Sequence, residues 1–186
     1  MKKVVFGFVF VLGIMAALSS CGTTYKMAVD ENAPNDRNVT VTFSGNGKVA
    51  SGFLVKEHNN RNILDDLYSG GRGNWNSKVS TNGVPIWSKD KTVLTVPAGN
   101  NRFLFDARIE FGDSIIVDRS IFQEITNLEI RYDLEQGKKY LITGTTKRTK
   151  LGLLGIGSGE FYVGIYDVTG RQTLLREWKV GEYSDD

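Results

Sequence analysis

Side chains that most often perform catalysis are scarce in this sequence of 186 residues, which contains one His and one Cys. A hydrolase triad needs a base that titrates near neutrality, and His58 is the only histidine. It stands in the polar stretch Lys56-Glu57-His58-Asn59-Asn60, which predicts a surface histidine in a loop. A single His and a single Cys also exclude a disulfide framework and a His/Cys metal site, and we expect no cofactor.

Carboxylates and glycines do not supply a catalytic pattern either. Asp65-Asp66 and Asp185-Asp186 are adjacent pairs, and neighbouring residues on a strand face opposite ways, so neither pair brings two carboxylates together. The glycine-rich residues 69–73 and 152–159 lack the endings and spacings of phosphate-binding loops. The sequence therefore predicts a protein that is not an enzyme.

The N-terminus contains the most informative pattern. Lys2 and Lys3 precede residues 4–18, which carry no charged or polar side chain. These 15 residues are too few to span a bilayer, which needs about 20 at a helical rise, but they suit the apolar region of a secretory signal. Residues 1–20 are therefore predicted to form a helical signal peptide.

The residues that end this run, Leu18-Ser19-Ser20-Cys21-Gly22, resemble the signal of bacterial lipoproteins. That resemblance implies that the Cys21 thiol receives a diacylglycerol, that residues 1–20 are removed, and that the new amino group is acylated, with palmitate as a typical chain. Several acyl chains give stable anchoring, whereas one chain gives only marginal membrane binding. Gly22 implies the periplasmic face of the outer membrane, by the sorting rule known for some Gram-negative lipoproteins.

Charge argues against a nucleic-acid partner. The chain has 23 basic and 21 acidic residues, and removal of residues 1–20 takes away Lys2 and Lys3 and no acidic residue. The mature side chains would then balance to zero, whereas nucleic-acid binding needs a basic face. The expected partner is the membrane, through lipid on Cys21, together with an envelope protein or a glycan.

Beyond residue 37 the repeating signal is the alternation of apolar and polar residues that is typical of β-strands. Residues 102–111 show it best, with one face formed by Phe103, Phe105, Ala107, Ile109 and Phe111. Residues 38–44 and 48–55 around Gly45-Asn46-Gly47 predict a first hairpin, and residues 160–168 and 172–180 predict a last one. Further strands are predicted over residues 92–96, 127–134 and 140–146, and short helical turns over 63–68 and 120–125.

These elements predict an all-β domain over residues 38–186, an antiparallel β-sandwich or small barrel of about seven to nine strands. Residues 21–37 would be the lipidated Cys and a tether, although residues 25–29 could instead pair as an edge strand. Residues 96–105 resemble the strand–Pro-x-Gly–strand hairpin of PEGA-type domains, and residues 134–142 resemble the glycine-turn strand pair of related lipoproteins. Both resemblances imply a β-sandwich and no catalytic residue.

Two predicted loops contain candidate binding residues. The loop over residues 69–91 holds Trp75 and Trp87 with Arg72 and Asn76, and aromatic faces beside amides are typical of glycan binding. Alternatively, both Trp side chains anchor the loop to the sheet. In the second loop, residues 147–158, basic residues are followed by apolar ones. These apolar residues would be exposed and could contact a partner protein or lipid: Leu151, Leu153, Leu154 and Ile156.

The alternative for this second loop is a hairpin whose strands simply extend further. Taken together, the patterns predict a membrane-anchored lipoprotein of the bacterial cell envelope that is not an enzyme and has a binding or envelope-assembly role. The alternative function is a glycan- or peptidoglycan-binding module that uses the loop with Trp75 and Trp87.

Overall fold

The computed structural model describes residues 24–29, 37–45, 51–68, 90–111, 121–151 and 157–183. In this part of the chain there are ten strands and one short helix. They are β1 (Thr24–Ala28), β2 (Asn38–Phe43), β3 (Ser51–His58), β4 (Arg61–Asn62), α1 (Leu64–Tyr68), β5 (Lys91–Pro97), β6 (Gly99–Phe111), β7 (Ile121–Leu134), β8 (Lys139–Leu151), β9 (Gly157–Asp167) and β10 (Thr173–Tyr183).

The strands form two sheets that pack on each other through one apolar core. The six-stranded sheet has the order β1-β5-β2-β8-β9-β10, and the four-stranded sheet has the order β4-β3-β6-β7. The predicted all-β sandwich is confirmed. Two of its pairings, β1 with β5 and β2 with β8, are parallel rather than antiparallel, which alternation within single strands does not reveal.

Aromatic rings fill the space between the sheets. The Phe43 ring of β2 makes edge contacts with three rings of the other sheet, at centroid distances of 5.9 Å to Phe53, 5.6 Å to Phe103 and 5.3 Å to Phe105. The predicted inward face of β6 is confirmed at Phe103, Phe105, Ala107 and Ile109, which are all fully buried. The side chain of Phe111 lies outside the described residues.

The predicted first hairpin is wrong. Strand β2 pairs with β5 and β8 in the six-stranded sheet, whereas β3 pairs with β4 and β6 in the four-stranded sheet. The hairpin over residues 96–105 and the strand pair over residues 134–142, which the two resemblances implied, are wrong for the same reason: β5 and β6 lie in different sheets, and so do β7 and β8. Alternating strands beside a glycine turn fit a hairpin and a crossing between sheets equally well, because both connections need the same turn residues.

The helical turn predicted over residues 120–125 is also wrong, because Ile121–Leu134 is one strand paired along β6. The turn predicted over residues 63–68 is confirmed as α1, and β9 and β10 form the predicted last hairpin. Long-range pairing with β6 outweighs local helical preference in a segment of mixed propensity.

The edge-strand alternative for residues 25–29 is confirmed, since β1 pairs in parallel with β5 at the edge of the six-stranded sheet. Helix α1 packs beside it, and the Tyr25 and Tyr68 rings are 4.8 Å apart. The Tyr68 hydroxyl accepts a hydrogen bond from Val55 N–H at 3.0 Å and shares another with Thr92 Oγ1 at 3.1 Å. Tyr68 therefore joins the two sheets along this side, and its burial raises its pKa to about 12.

Candidate functional site

Most residues predicted to bind lie outside the described residues. Leu151 is included only as the last backbone position of β8. Predictions about the remaining side chains therefore stay predictions: Cys21, Arg72, Trp75, Asn76, Trp87, Leu153, Leu154 and Ile156.

The prediction that His58 is a surface residue is wrong. The side chain is buried at the end of β3, and its ring centroid lies 5.3 Å from that of Phe103. Asn101 Nδ2 donates to the carbonyl oxygens of Pro97 at 2.9 Å and Gly99 at 2.8 Å, so Asn101 Oδ1 faces the histidine, 2.6 Å from Nε2. Nε2 must then carry the proton, and burial lowers the His58 pKa, so the ring is neutral and held by an amide.

Strand β3 continues past Val55 to His58, where the polar composition predicts a loop, and a β-bulge turns the His58 side chain inward. The register between β3 and β6 shifts between Val55 and Glu57, so Lys56 is an extra residue and every later side chain changes face. His58 thus points inward opposite Phe103, while Glu57 points outward. The sequence signal for a strand that ends at His58 is the Asn59-Asn60 pair. Both residues have positive φ angles, 47° and 67°, and they form the turn between β3 and β4.

A second bulge places a buried carboxylate on the outer side of the four-stranded sheet. Asp106 of β6 accepts a hydrogen bond from Asn127 N–H at 2.8 Å and pairs with Lys56 Nζ at 2.7 Å. Asn127 has a positive φ of 55°, and β7 shifts register opposite Asp106. The carboxylate thus supplies the acceptor that an N–H displaced from the strand ladder requires, which is a structural role.

Several other charges on the sheet faces form ion pairs. Arg102 contacts both Glu57 and Glu129 at 2.8 Å, and hydrogen bonds from Arg102 and Arg131 lower the pKa of Glu129. On the six-stranded sheet, Lys179 pairs with Glu160 at 2.6 Å and also with Glu182, while Lys147 pairs with Glu177. Within the described part of the chain, no three His, Cys, Asp or Glu side chains are placed to hold a metal ion.

Strand register shows where the predicted features join the fold. Thr24 of β1 is opposite Lys91 of β5, and Phe43 at the end of β2 is opposite both Thr92 and Ile142. Strands β1 and β5 therefore begin, and β2 ends, at one end of the sandwich, which we call the N-terminal end. Strand β8 runs towards this end because it is parallel to β2, and β9 returns from it.

All three predicted features are attached to this N-terminal end. Cys21 precedes Thr24 by three residues. The segment with Trp75 and Trp87 leaves after Tyr68, whose hydroxyl contacts Thr92, and it rejoins the described chain at Asp90. The apolar segment with Leu153, Leu154 and Ile156 lies between the ends of β8 and β9. Residues far apart in sequence thus have their attachment points at a single end of the domain.

Strands β8 and β9 extend beyond β1, β5 and β2 at this end, and β10 accompanies β9 as far as Tyr183, opposite Gly159. Thr143 is level with Lys91 and Thr24, and β8 continues from there to Leu151. Eight residues at about 3.3 Å each make a projection of about 26 Å. Residues 147–151 and 157–158 are therefore strand rather than loop, which confirms the alternative of a hairpin with longer strands for these residues. Residues 152–156 lie outside the described residues.

Three contacts brace this projection. The hydroxyl of Thr149 donates to Ser158 Oγ at 3.1 Å across the two strands. The Lys147 ammonium lies 4.1 Å from the centre of the Tyr162 ring. The Tyr183 ring packs 5.4 Å from that of Phe161 and covers Gly159, where a Cβ atom would come within 2.5 Å of it. We call the extending part of β8 and β9 the β8–β9 arm. It is three-stranded, with β10, as far as Arg148 and Gly159, and two-stranded only beyond them.

Comparison with family models, with curated proteins and with solved structures gives no match to this chain. The helix among the described residues is too short to cross a membrane.

Proposed function

We propose that this protein is a bacterial lipoprotein of the cell envelope that is anchored to the membrane through Cys21 and acts by binding or assembly rather than by catalysis. The observation that carries the proposal is the position of Cys21, directly after the signal-like apolar run and three residues before β1. Three extended residues span at most about 11 Å. Acyl chains on Cys21 would therefore hold the N-terminal end of the sandwich close to the lipid surface.

A role without catalysis is supported by how the titratable side chains are used. His58 is a neutral core residue held by Asn101, and the buried Asp106 carboxylate is occupied by Asn127 N–H and Lys56. A general base must be within hydrogen-bond reach of the substrate proton that it removes. His58 is only 3% exposed and lacks that access.

A binding role is supported by the N-terminal end, because both loops that the sequence marks for binding attach there. The ends of the segment with Trp75 and Trp87 are fixed near Tyr68 and Thr92, and the apolar segment is carried by the β8–β9 arm. Any ligand held by either loop would be recognised close to the membrane to which the protein is attached.

The anchor is tested by replacing the acylated residue. In bacteria given a clickable palmitate analogue, the Cys21→Ala protein should lose the label and should fractionate as soluble protein or as unprocessed precursor. Ser20→Ala is the matched control, because it keeps a small residue before the Cys and should keep both label and membrane association. Labelling and normal processing of the Cys21→Ala protein would refute the proposal.

The glycan-binding alternative is tested separately. Trp75→Ala combined with Trp87→Ala should abolish sedimentation with purified peptidoglycan, whereas Leu174→Ala, at an exposed position of β10, should leave it unchanged. If the wild-type protein does not sediment with peptidoglycan, this alternative is wrong and the general binding role is unaffected.

A further inference from the structure

We propose that the end of the β8–β9 arm, residues 147–151 and 157–158, is a second contact with the phospholipid surface beside the acyl chains on Cys21. This inference rests on the proposed lipoprotein function and names the protein surface that would contact the membrane. The occupant is a phospholipid bilayer and not another protein.

The first support is reach. Cys21 is at most about 11 Å from Thr24, so the membrane surface would lie no further than that from the start of β1. Strand β8 continues for eight residues past the level of Thr24, a length of about 26 Å. An anchor this short leaves little room for an arm of this length to stand clear of the bilayer.

Sheet twist reduces this reach without removing it. Adjacent strands rotate by about 20–25°, so β8, three strands from β1, is inclined to β1 by about 60–75°. The arm of about 26 Å then projects about 7–13 Å along the direction of β1, which matches the span of about 11 Å between Cys21 and Thr24. If residues 21–23 are fully extended, Cys21 would lie at about the level that the arm reaches.

The second support is chemistry. Lys147 and Arg148 are exposed near the end of β8, and Lys150 follows them in the sequence. Cationic side chains at this level would meet anionic headgroups. The five residues that join the strands read Gly-Leu-Leu-Gly-Ile and include no charged or polar side chain. Basic residues followed by apolar ones are the composition that a bilayer interface takes up.

The test uses the full chain, purified in its lipidated form and placed in vesicles of phosphatidylethanolamine with a minority of phosphatidylglycerol. Cys21 is the only native cysteine, and its thiol is consumed by lipidation. Thr149→Cys therefore gives one site for a bimane label on the arm, and Gly170→Cys gives the matched control in the β9–β10 turn at the opposite end, where an added side chain meets open space. Ser158→Cys, across from Thr149, is a second probe if the loss of the hydroxyl pair disturbs the arm.

Brominated phospholipids should quench the label on Thr149→Cys about twofold or more, as contact with the headgroup–acyl boundary requires, and should leave the label on Gly170→Cys unchanged. If vesicles carry the protein but neither Thr149→Cys nor Ser158→Cys is quenched, the arm does not contact lipid and the anchor still stands. Equal quenching at both ends would also overturn the proposal. A protein that does not float with the vesicles would refute the anchor, and the second contact with it.

Discussion

Asp106 provides the sharpest test of how the four-stranded sheet is built. Its carboxylate, 5% exposed, binds Asn127 N–H at 2.8 Å and Lys56 Nζ at 2.7 Å. Asp106→Ala would leave the N–H without its charged acceptor, and a hydrogen bond to a charged group contributes about 1.5–3 kcal/mol. The Lys56 side chain is 27% exposed, so its ammonium can turn to water when the carboxylate is absent. The loss of stability therefore stays below the value of roughly 3–5 kcal/mol that is typical of breaking a fully buried ion pair. We expect a loss of about 2–3 kcal/mol in the free energy of unfolding.

Asp106→Asn is the informative companion, because it keeps an oxygen acceptor for Asn127 N–H while it removes the charge. It should cost about 1 kcal/mol, less than the alanine variant. The measurement is urea denaturation of the chain from Gly22 onward, which retains β1, with the midpoint read at constant slope. A loss below about 0.5 kcal/mol for Asp106→Ala, or equal losses for both variants, would show that the carboxylate does not stabilise the bulge.

Three further predictions concern the core and the edge. Phe105→Ala should lower the free energy of unfolding by about 3–5 kcal/mol. Leu104→Ala, on the opposite face of β6, should lower it by much less, and similar losses for the two variants would mean that the inward face is assigned wrongly. Burial lowers the His58 pKa, so the folded protein favours the neutral ring. The contribution of His58 to stability is therefore complete above the pKa of the unfolded chain, about 6.5, and falls as the pH drops below it, by at most about 1.4 kcal/mol per pH unit. His58→Gln should flatten that slope in denaturant midpoints measured against pH, and an unchanged slope would contradict the assignment. Removal of residues 22–37 deletes β1 and should lower the thermal midpoint, which a scan of both chain lengths will check.

The inward face of β6 could be predicted from the sequence because alternation is a local property of one strand. The partner of a strand is not local: nothing in residues 38–43 indicates that β2 lies between β5 and β8. The candidate features were predicted as separate segments, and only the parallel pairings show that their attachment points share one end.

The error on His58 has a physical cause. The polar composition of residues 56–60 predicts a loop, but β3 continues to His58, and the bulge at Lys56 turns that side chain inward. The sequence carries no simple mark of a bulge, because the extra residue can be of any type. Asn127, with its positive φ, is a partial exception, since Asn tolerates that conformation better than most residues.

The parallel pairing of β2 with β8 also bears on the order in which the chain can fold. On its β8 side Val41 is opposite Tyr140, about a hundred residues later, so this side of β2 stays unpaired until most of the chain has arrived. Strands β8, β9 and β10 are joined by short local connections and have no such delay. We therefore expect the C-terminal three strands to associate first and then to capture β2, β5 and finally β1. A chain interrupted before residue 139 would leave β2 with an open edge, which exposes it to proteases and to aggregation.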